Sequence, residues 1–154
     1  MKKIAVTMAL VLLAAASALA QRIVVTPSGA RATIRGPERA YTGTAVADTL
    51  IAPTDPSHVM AVTITFEPGA RTAWHNHPAG QYLIITSGVG WVQERGGKKR
   101  EVHPGDVVWT PPGVFHWHGA TATNAMSHLA VWDFVNGSGG ELGEHVTDAE
   151  YLAD

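Results

Sequence analysis

The chain has 154 residues, the size of one ordinary domain, and its 45% hydrophobic and 16% charged content is that of a globular protein rather than a disordered one. Eleven basic and thirteen acidic residues give a formal charge of −2, so no basic patch points to nucleic acid as a partner. The absence of cysteine excludes disulfides, thiolate metal sites, iron–sulfur clusters and a cysteine nucleophile. Histidine is the unusual count: eight in all, six of them from His75 to His128, with all five tryptophans in nearly the same stretch.

The chain opens with a positive pair, Lys2 and Lys3, an apolar run from Ile4 to Ala16, and the small-x-small sequence Ala18-Leu19-Ala20. This pattern predicts a secretory signal peptide cleaved after Ala20, and hence a secreted or periplasmic protein. A retained anchor needs about 20 apolar residues, and this run is shorter. Cleavage removes two lysines and no acid, which takes the formal charge to −4. No later segment is apolar enough to span a membrane, so no membrane partner is expected after cleavage. The expected organisation is a leader over 1–20, an N-terminal arm over 21–40 with a strand-like start at Arg22 to Val25, and one domain over 41–154.

Beyond the arm, short runs alternate and are broken by Gly and Pro. His58 to Phe66 places Met60, Val62, Ile64 and Phe66 on one face and Ala61, Thr63 and Thr65 on the other, the period of a half-buried strand. Gln81 to Thr86 reads as a second strand ending near Gly88. Gly90 to Glu94 and Lys99 to Val102 flank Gly96-Gly97 as a hairpin. Val107 to Thr110 is a strand ending at Pro111-Pro112-Gly113. Met126 to Phe134 is a last long strand with His128, Ala130, Trp132 and Phe134 on one face. Residues 136–143 are Gly-rich and read as a loop. Thr147-Asp148-Ala149-Glu150 is a capping box that opens one short C-terminal helix. Turns every 8–12 residues or so define an all-β antiparallel sandwich or barrel.

The histidines fall into a pattern on this framework. In His75-Asn76-His77 the two imidazoles lie at i and i+2, which share a face in a strand. Gln81 follows at the start of the next strand, where its amide oxygen can join them. His116-Trp117-His118 repeats the spacing, and His128 lies on the last long strand. A single histidine of this kind is more often a core or surface residue. Two H-x-H pairs set among glycines and prolines point instead to a divalent transition metal, for which imidazole and amide oxygen are suitable ligands. His103, before Pro104, and His58 and His145 read as bystanders.

Gly69-x5-His75-x-His77-x3-Gln81-x6-Gly88 resembles the first motif of the cupin superfamily, and Gly105-x5-Pro111-x-Gly113-x2-His116 resembles the second. The resemblance implies a double-stranded β-helix, a small antiparallel β-barrel with the metal inside, and the ligand set His75, His77, Gln81 and His116. Two positions depart from the family pattern: Gln81 stands where a glutamate ligand is usual, and Ala120 where an asparagine closes the second motif. A neutral ligand set leaves the ion's charge uncompensated, which strengthens it as a Lewis acid. The stretches FEPGARTAWHNHPAGQ and HPGDVVWTPPGVFHWHGA are further similar to small bacterial cupins with manganese-dependent hydroxynitrile lyase activity. That similarity implies one metal ion per chain, manganese by resemblance with zinc, iron, nickel or copper as alternatives. It also implies cyanohydrin cleavage. His118 shares a strand face with His116 and His128 faces inward by the alternation of its strand, so one of the two is expected to be the base, a neutral histidine suiting proton transfer near neutral pH. Val62, Ile64, Leu83, Phe115, Trp132 and Phe134 are the candidates for the wall of a pocket for a small-molecule substrate, with Trp132 large enough to narrow it. A dioxygenase holding Fe(II) on the same ligands, or a secreted non-catalytic binder, are the other readings of the site. Small cupins commonly pair through sheet edges, so a homodimer or homotetramer is expected, with Arg22 to Val25 as a candidate exchange strand.

Overall fold

A computed structural model describes residues 22–153, so the expected leader over 1–20 lies outside the described residues. The chain separates into two compact units at Ala30/Arg31. In the first, residues 22–27 have no regular structure and Ser28–Ala30 form one 3-10 turn. The strand expected at Arg22 to Val25 does not form. Ile23, Val24 and Val25 are exposed, and β propensity without a neighbouring strand does not make a ladder.

The second unit carries thirteen strands. In chain order they are β1 (Ile34–Arg35), β2 (Tyr41–Thr42), β3 (Ala45–Ile51), β4 (Val59–Phe66), β5 (Arg71–Thr72), β6 (His75–Asn76) and β7 (Gln81–Gly88). There follow β8 (Gly90–Glu94), β9 (Arg100–Val102), β10 (Val107–Thr110), β11 (His116–Ala120), β12 (Met126–Asp133) and β13 (Glu141–Leu142), then the helix α1 (Asp148–Leu152). One antiparallel sheet runs β1-β3-β4-β12-β7-β10. In the other, β11 pairs with β8 along one edge and with β6 and β5 along the other; β9, β13 and β2 extend those neighbours.

Alternation fixes which side chains enter the space between the sheets. On β7, Gln81, Leu83 and Ile85 are buried while Tyr82, Ile84 and Thr86 face out. On β12, Met126, His128 and Ala130 are buried, and on β4 Val62, Ile64 and Phe66 are. Val62, Ile64, Phe66, Leu83, Ile85, Met126 and Ala130 belong to one apolar cluster, each fully buried large side chain contributing about 1.5–3 kcal/mol. The polar side chains Gln81 and His128 occupy the same inward alternation, so the strands that build the core also deliver the site.

A second cluster of Trp74, Trp117, Val146 and Tyr151 lies under the C-terminal helix. Thr147 caps α1: its side chain accepts from the Glu150 backbone, and Glu150 accepts in return from the Thr147 N–H at 2.8 Å. Buried Arg71 donates to the Val146 carbonyl and to Asp148 Oδ1 at 2.7 Å, with its guanidinium 4.4 Å from the Tyr151 ring centroid. The Tyr151 hydroxyl donates to the Ala120 carbonyl at 2.8 Å. These contacts tie the helix to β5 and β11, behind the histidines of the site.

Candidate metal centre and cavity

Strand pairing brings the first two imidazoles together. In the β6–β11 register His75 stands directly opposite His116, and their ring centroids are 4.3 Å apart. His77 follows just beyond β6, with its ring 5.3 Å from His75 and 5.9 Å from His116. Gln81 arrives from the other sheet, at the first residue of β7, and its Oε1 is 2.9 Å from His116 Nε2. His118 shares the inward face of β11 with His116 and lies 5.1 Å from His75 between ring centroids. His128, on β12, meets it with Nε2 3.0 Å from His118 Nδ1. One nitrogen from each of His75, His116 and His118 lies within 4.8 Å of the others. The structure thus gathers His75, His77, Gln81, His116, His118 and His128 into one place.

Three of these rings are held in the same way. Each donates Nδ1–H to a backbone carbonyl: His75 to Ala73 at 2.9 Å, His77 to Gly139 at 2.7 Å, His116 to Val114 at 3.0 Å. A neutral imidazole has one N–H, so Nε2 of each carries a bare lone pair. Nε2 of His77 is buried and has no hydrogen-bond partner among the described residues. His116 has an oxygen acceptor at both nitrogens, Val114 O and Gln81 Oε1, and can donate to only one while neutral. Burial lowers its pKa and works against the doubly protonated ring that would satisfy both. Two arrangements relieve the conflict: a cation held between the His116 lone pair and the Gln81 oxygen, or the Gln81 amide turned so that its N–H donates to His116 Nε2. Outer hydrogen bonds that fix the tautomer are what metal-ligating histidines characteristically have. The donor set therefore fits a divalent ion.

All five rings are driven towards neutrality. Burial, then the charge of His116, holds His75 well below the usual imidazole range, against the Ala73 hydrogen bond. Burial lowers His77 to about 4, the Gly139 carbonyl opposing it. His118 lies well below the ordinary value through burial and then through His128, and burial lowers His128 to about 4. The outer nitrogens of this pair, His118 Nε2 and His128 Nδ1, are buried and without partner among the described residues. One proton sits in the bond between the rings. If His118 donates it, His118 Nε2 is a bare lone pair; if His128 donates it, His118 Nε2 carries a proton.

A cavity of about 300 Å3 opens beside this cluster, with His75, His77, Gln81 and His118 in its wall. Ile64, Trp132 and Phe134 also line it. Trp132 packs 5.0 Å from the His77 ring, between centroids, and narrows the space on that side. The other expected wall residues are elsewhere. Val62 is in the inter-sheet core. Leu83 is in that core and borders a separate cavity of about 320 Å3 that His116 also reaches. Phe115 packs against the second cluster, beneath the Arg95 guanidinium. Of the remaining histidines, His103 pairs with Glu101 at the surface and His145 contacts Thr42.

Three further contributors carry no signal in the sequence pattern of the site. Tyr41 and Thr72 line the cavity from β2 and β5, and Thr72 Oγ1 accepts from the His118 N–H at 3.1 Å. The third is the segment 139–142, expected to be loop. Its Glu141 and Leu142 form β13 against β6, and Gly139 supplies the carbonyl that holds His77. Asn136-Gly137, with φ of 51° and 80°, makes the tight turn that sends the chain back, and Asn-Gly is the sequence signal for such a turn.

With fold and site in view, comparison with known proteins places the chain. The family described as Cupin domain matches residues 62–132. An (R)-mandelonitrile lyase of Granulicella tundricola is 52% identical over 123 residues, covering 80% of this chain and 94% of that protein. The chain belongs to the cupin family. Among solved structures, a cupin-like protein of Thermotoga maritima superposes with a TM-score of 0.73 at 36% identity, covering 85% of this chain and 95% of that one. A predicted oxalate decarboxylase of the same organism shares the fold, with a TM-score of 0.64 at 22% identity over 73% of this chain and all of that one.

Proposed function

We propose that the protein is a metal-dependent hydroxynitrile lyase that cleaves mandelonitrile-like cyanohydrins to an aldehyde and hydrogen cyanide. The observation that carries this reading is the neutral His118–His128 pair set beside the His75, His77 and His116 lone pairs. The 52% identity to an (R)-mandelonitrile lyase supports the substrate class.

Nε2 of His75, His77 and His116 and Oε1 of Gln81 would hold the ion. The choice between His77 and His118 as third imidazole turns on what holds each ring: His77 has the backbone-anchored Nδ1 of the other two, whereas His118 is tied to His128. When bound, a divalent ion supplies Lewis acidity that stabilises negative charge developing on the substrate oxygen. His118 Nε2, bare when His118 donates to His128, takes the hydroxyl proton. The bond between the carbinol carbon and the nitrile carbon then breaks, its electron pair leaving with cyanide. Cyanide is a stronger base than imidazole and takes the proton from His118 as hydrogen cyanide. Ile64, Trp132 and Phe134 supply the apolar wall that an aryl or alkyl group requires.

Manganese is the proposed ion, on the resemblance to manganese-dependent cupins. The proposed leader and cleavage after Ala20 would make this an exported protein that takes its metal outside the cytoplasm. There the affinity order favours zinc or copper over manganese, so zinc, iron, nickel and copper stand as alternatives. A homodimer or homotetramer is proposed for the mature chain. The test is to purify that chain, quantify its metal, and follow mandelonitrile cleavage under nitrogen. Aldehyde release without oxygen supports the lyase. Oxygen uptake in air with no anaerobic cleavage supports a dioxygenase, and neither activity supports a binding protein.

A further inference from the structure

We propose that residues 136–143 form a strap that sets the His77 imidazole, which makes Gly139, Gly140 and Glu141 positioning residues for metal retention. This rests on the reading of His77 as a ligand.

The three candidate ligand imidazoles differ in where their backbone acceptor comes from. His75 donates to Ala73 and His116 to Val114, each only two residues away and carried by the same local chain. His77 donates to Gly139, 62 residues distant, at 2.7 Å, the shortest of the three bonds. Its orientation therefore depends on a separate piece of chain staying in place.

That piece is anchored at several points. Val135 and Ser138 exchange backbone hydrogen bonds of 2.9 and 3.0 Å across the Asn136-Gly137 turn. Past the turn, β13 pairs Glu141 with Asn76 and Leu142 with His75. Asn76 Nδ2 donates to Glu141 Oε2 at 3.1 Å, and the Glu141 N–H donates to Asn76 Oδ1 at 3.3 Å. Gly143 donates to the Trp74 carbonyl at 2.7 Å. Between these anchors the strap lies directly on the residue that separates His75 from His77. A Cβ on Gly140 would sit 2.0 Å from the Asn76 carbonyl oxygen, and Gly140 has φ of 143°. Only glycine permits that approach.

The chemical consequence follows from the tautomer. While Gly139 O accepts from Nδ1, Nε2 of His77 is a buried lone pair with no partner among the described residues. With the strap lifted, the ring loses its acceptor and is free to turn or to move its proton to Nε2, where it cannot ligate. Gly140 and Glu141 also line the cavity, so lifting them opens the ion to solvent on that side. His75 and His116 keep their acceptors, which makes His77 the point of release.

The experiment loads the mature chain with zinc as the probe and follows release to excess chelator. Loss of such an outer contact weakens metal binding about 10–100-fold. Gly140→Ala is therefore expected to release zinc at least ~10-fold faster than wild type. Glu141→Ala, at an exposed position, removes the acceptor for Asn76 and should release it about threefold faster. Glu141→Gln, which retains an acceptor oxygen, should restore the wild-type rate. Gly105→Ala carries comparable backbone strain, φ of 96°, in a turn remote from the strap, and should stay within about twofold. If Gly140→Ala does not fold, the two Glu141 variants decide. Fast release from His77→Ala with wild-type release from both strap variants overturns the strap. Wild-type release from His77→Ala itself overturns the ligand assignment, and the strap with it.

Discussion

Acid should destabilise the metal-free protein steeply, because the fold buries imidazoles that prefer to be charged once it opens. Two of them allow a magnitude. His77 and His128 are each lowered to about 4 by burial, against about 6.5 in the unfolded chain. The unfolded state binds more protons between those two values, so stability is full above about pH 6.5 and falls as pH drops towards 4. From pH 7 to pH 5 each group costs about 2 kcal/mol by this linkage. The two together remove roughly 4 kcal/mol, a large part of the 5–15 kcal/mol typical of a domain. His75, His116 and His118 shift in the same direction and add to the loss. Thermal melts of chelator-treated protein at pH 7, 6 and 5 measure this. A drop in Tm on the order of 10 °C by pH 5 is expected. His103→Ala, at an exposed position beside Glu101, should melt in parallel with wild type. An apo Tm that is the same at pH 7 and pH 5 would refute the claim that these rings are buried neutral.

Other expectations follow from particular side chains. His75→Ala and His116→Ala should each lose most of the bound metal, read by elemental analysis after dialysis; unchanged content in both would remove them from the ligand set. His118→Ala should keep its metal but lose about 10²–10⁴-fold in kcat on mandelonitrile, the size of a general-base contribution. Trp132→Ala widens the cavity beside His77 and should raise kcat/KM for aryl cyanohydrins, while no change would show that the indole does not limit access. Leu83→Ala empties a fully buried inter-sheet position and should cost 2–5 kcal/mol in chemical denaturation.

The long strands were legible because each presents one face to the core. β4, β7 and β12 alternate as their sequences do, and the expected bounds differ from the observed ones by one or two residues. β3 was passed over because Ala45–Ile51 carries small alanines and an aspartate, and its inward face is filled by Ala45 and Ala47. β2, β5 and β13 are two-residue strands whose sequences hold no period at all; they exist through their partners. The opposite error fell at Arg22 to Val25, where a β-branched run has no ladder. At the site, the H-x-H spacings and Gln81 single out side chains that the structure gathers in one place, because strand geometry makes i and i+2 neighbours. Tyr41, Thr72 and the strap could not be read so, since they reach the cavity through pairings between distant segments. Of the expected wall, Ile64, Trp132 and Phe134 line the cavity, while Val62 and Leu83 show that an inward face supplies core as readily as it supplies pocket, and Phe115, just before β11, packs against the second cluster.

Metal-dependent lyase activity is tested by anaerobic cleavage of mandelonitrile by the mature chain, measured before chelation, after it and after restoration of a divalent ion. Aldehyde should be released without oxygen, the release abolished by the chelator and recovered with the ion. Metal-loaded, folded protein that releases no aldehyde, or release that survives complete removal of the metal, would contradict it.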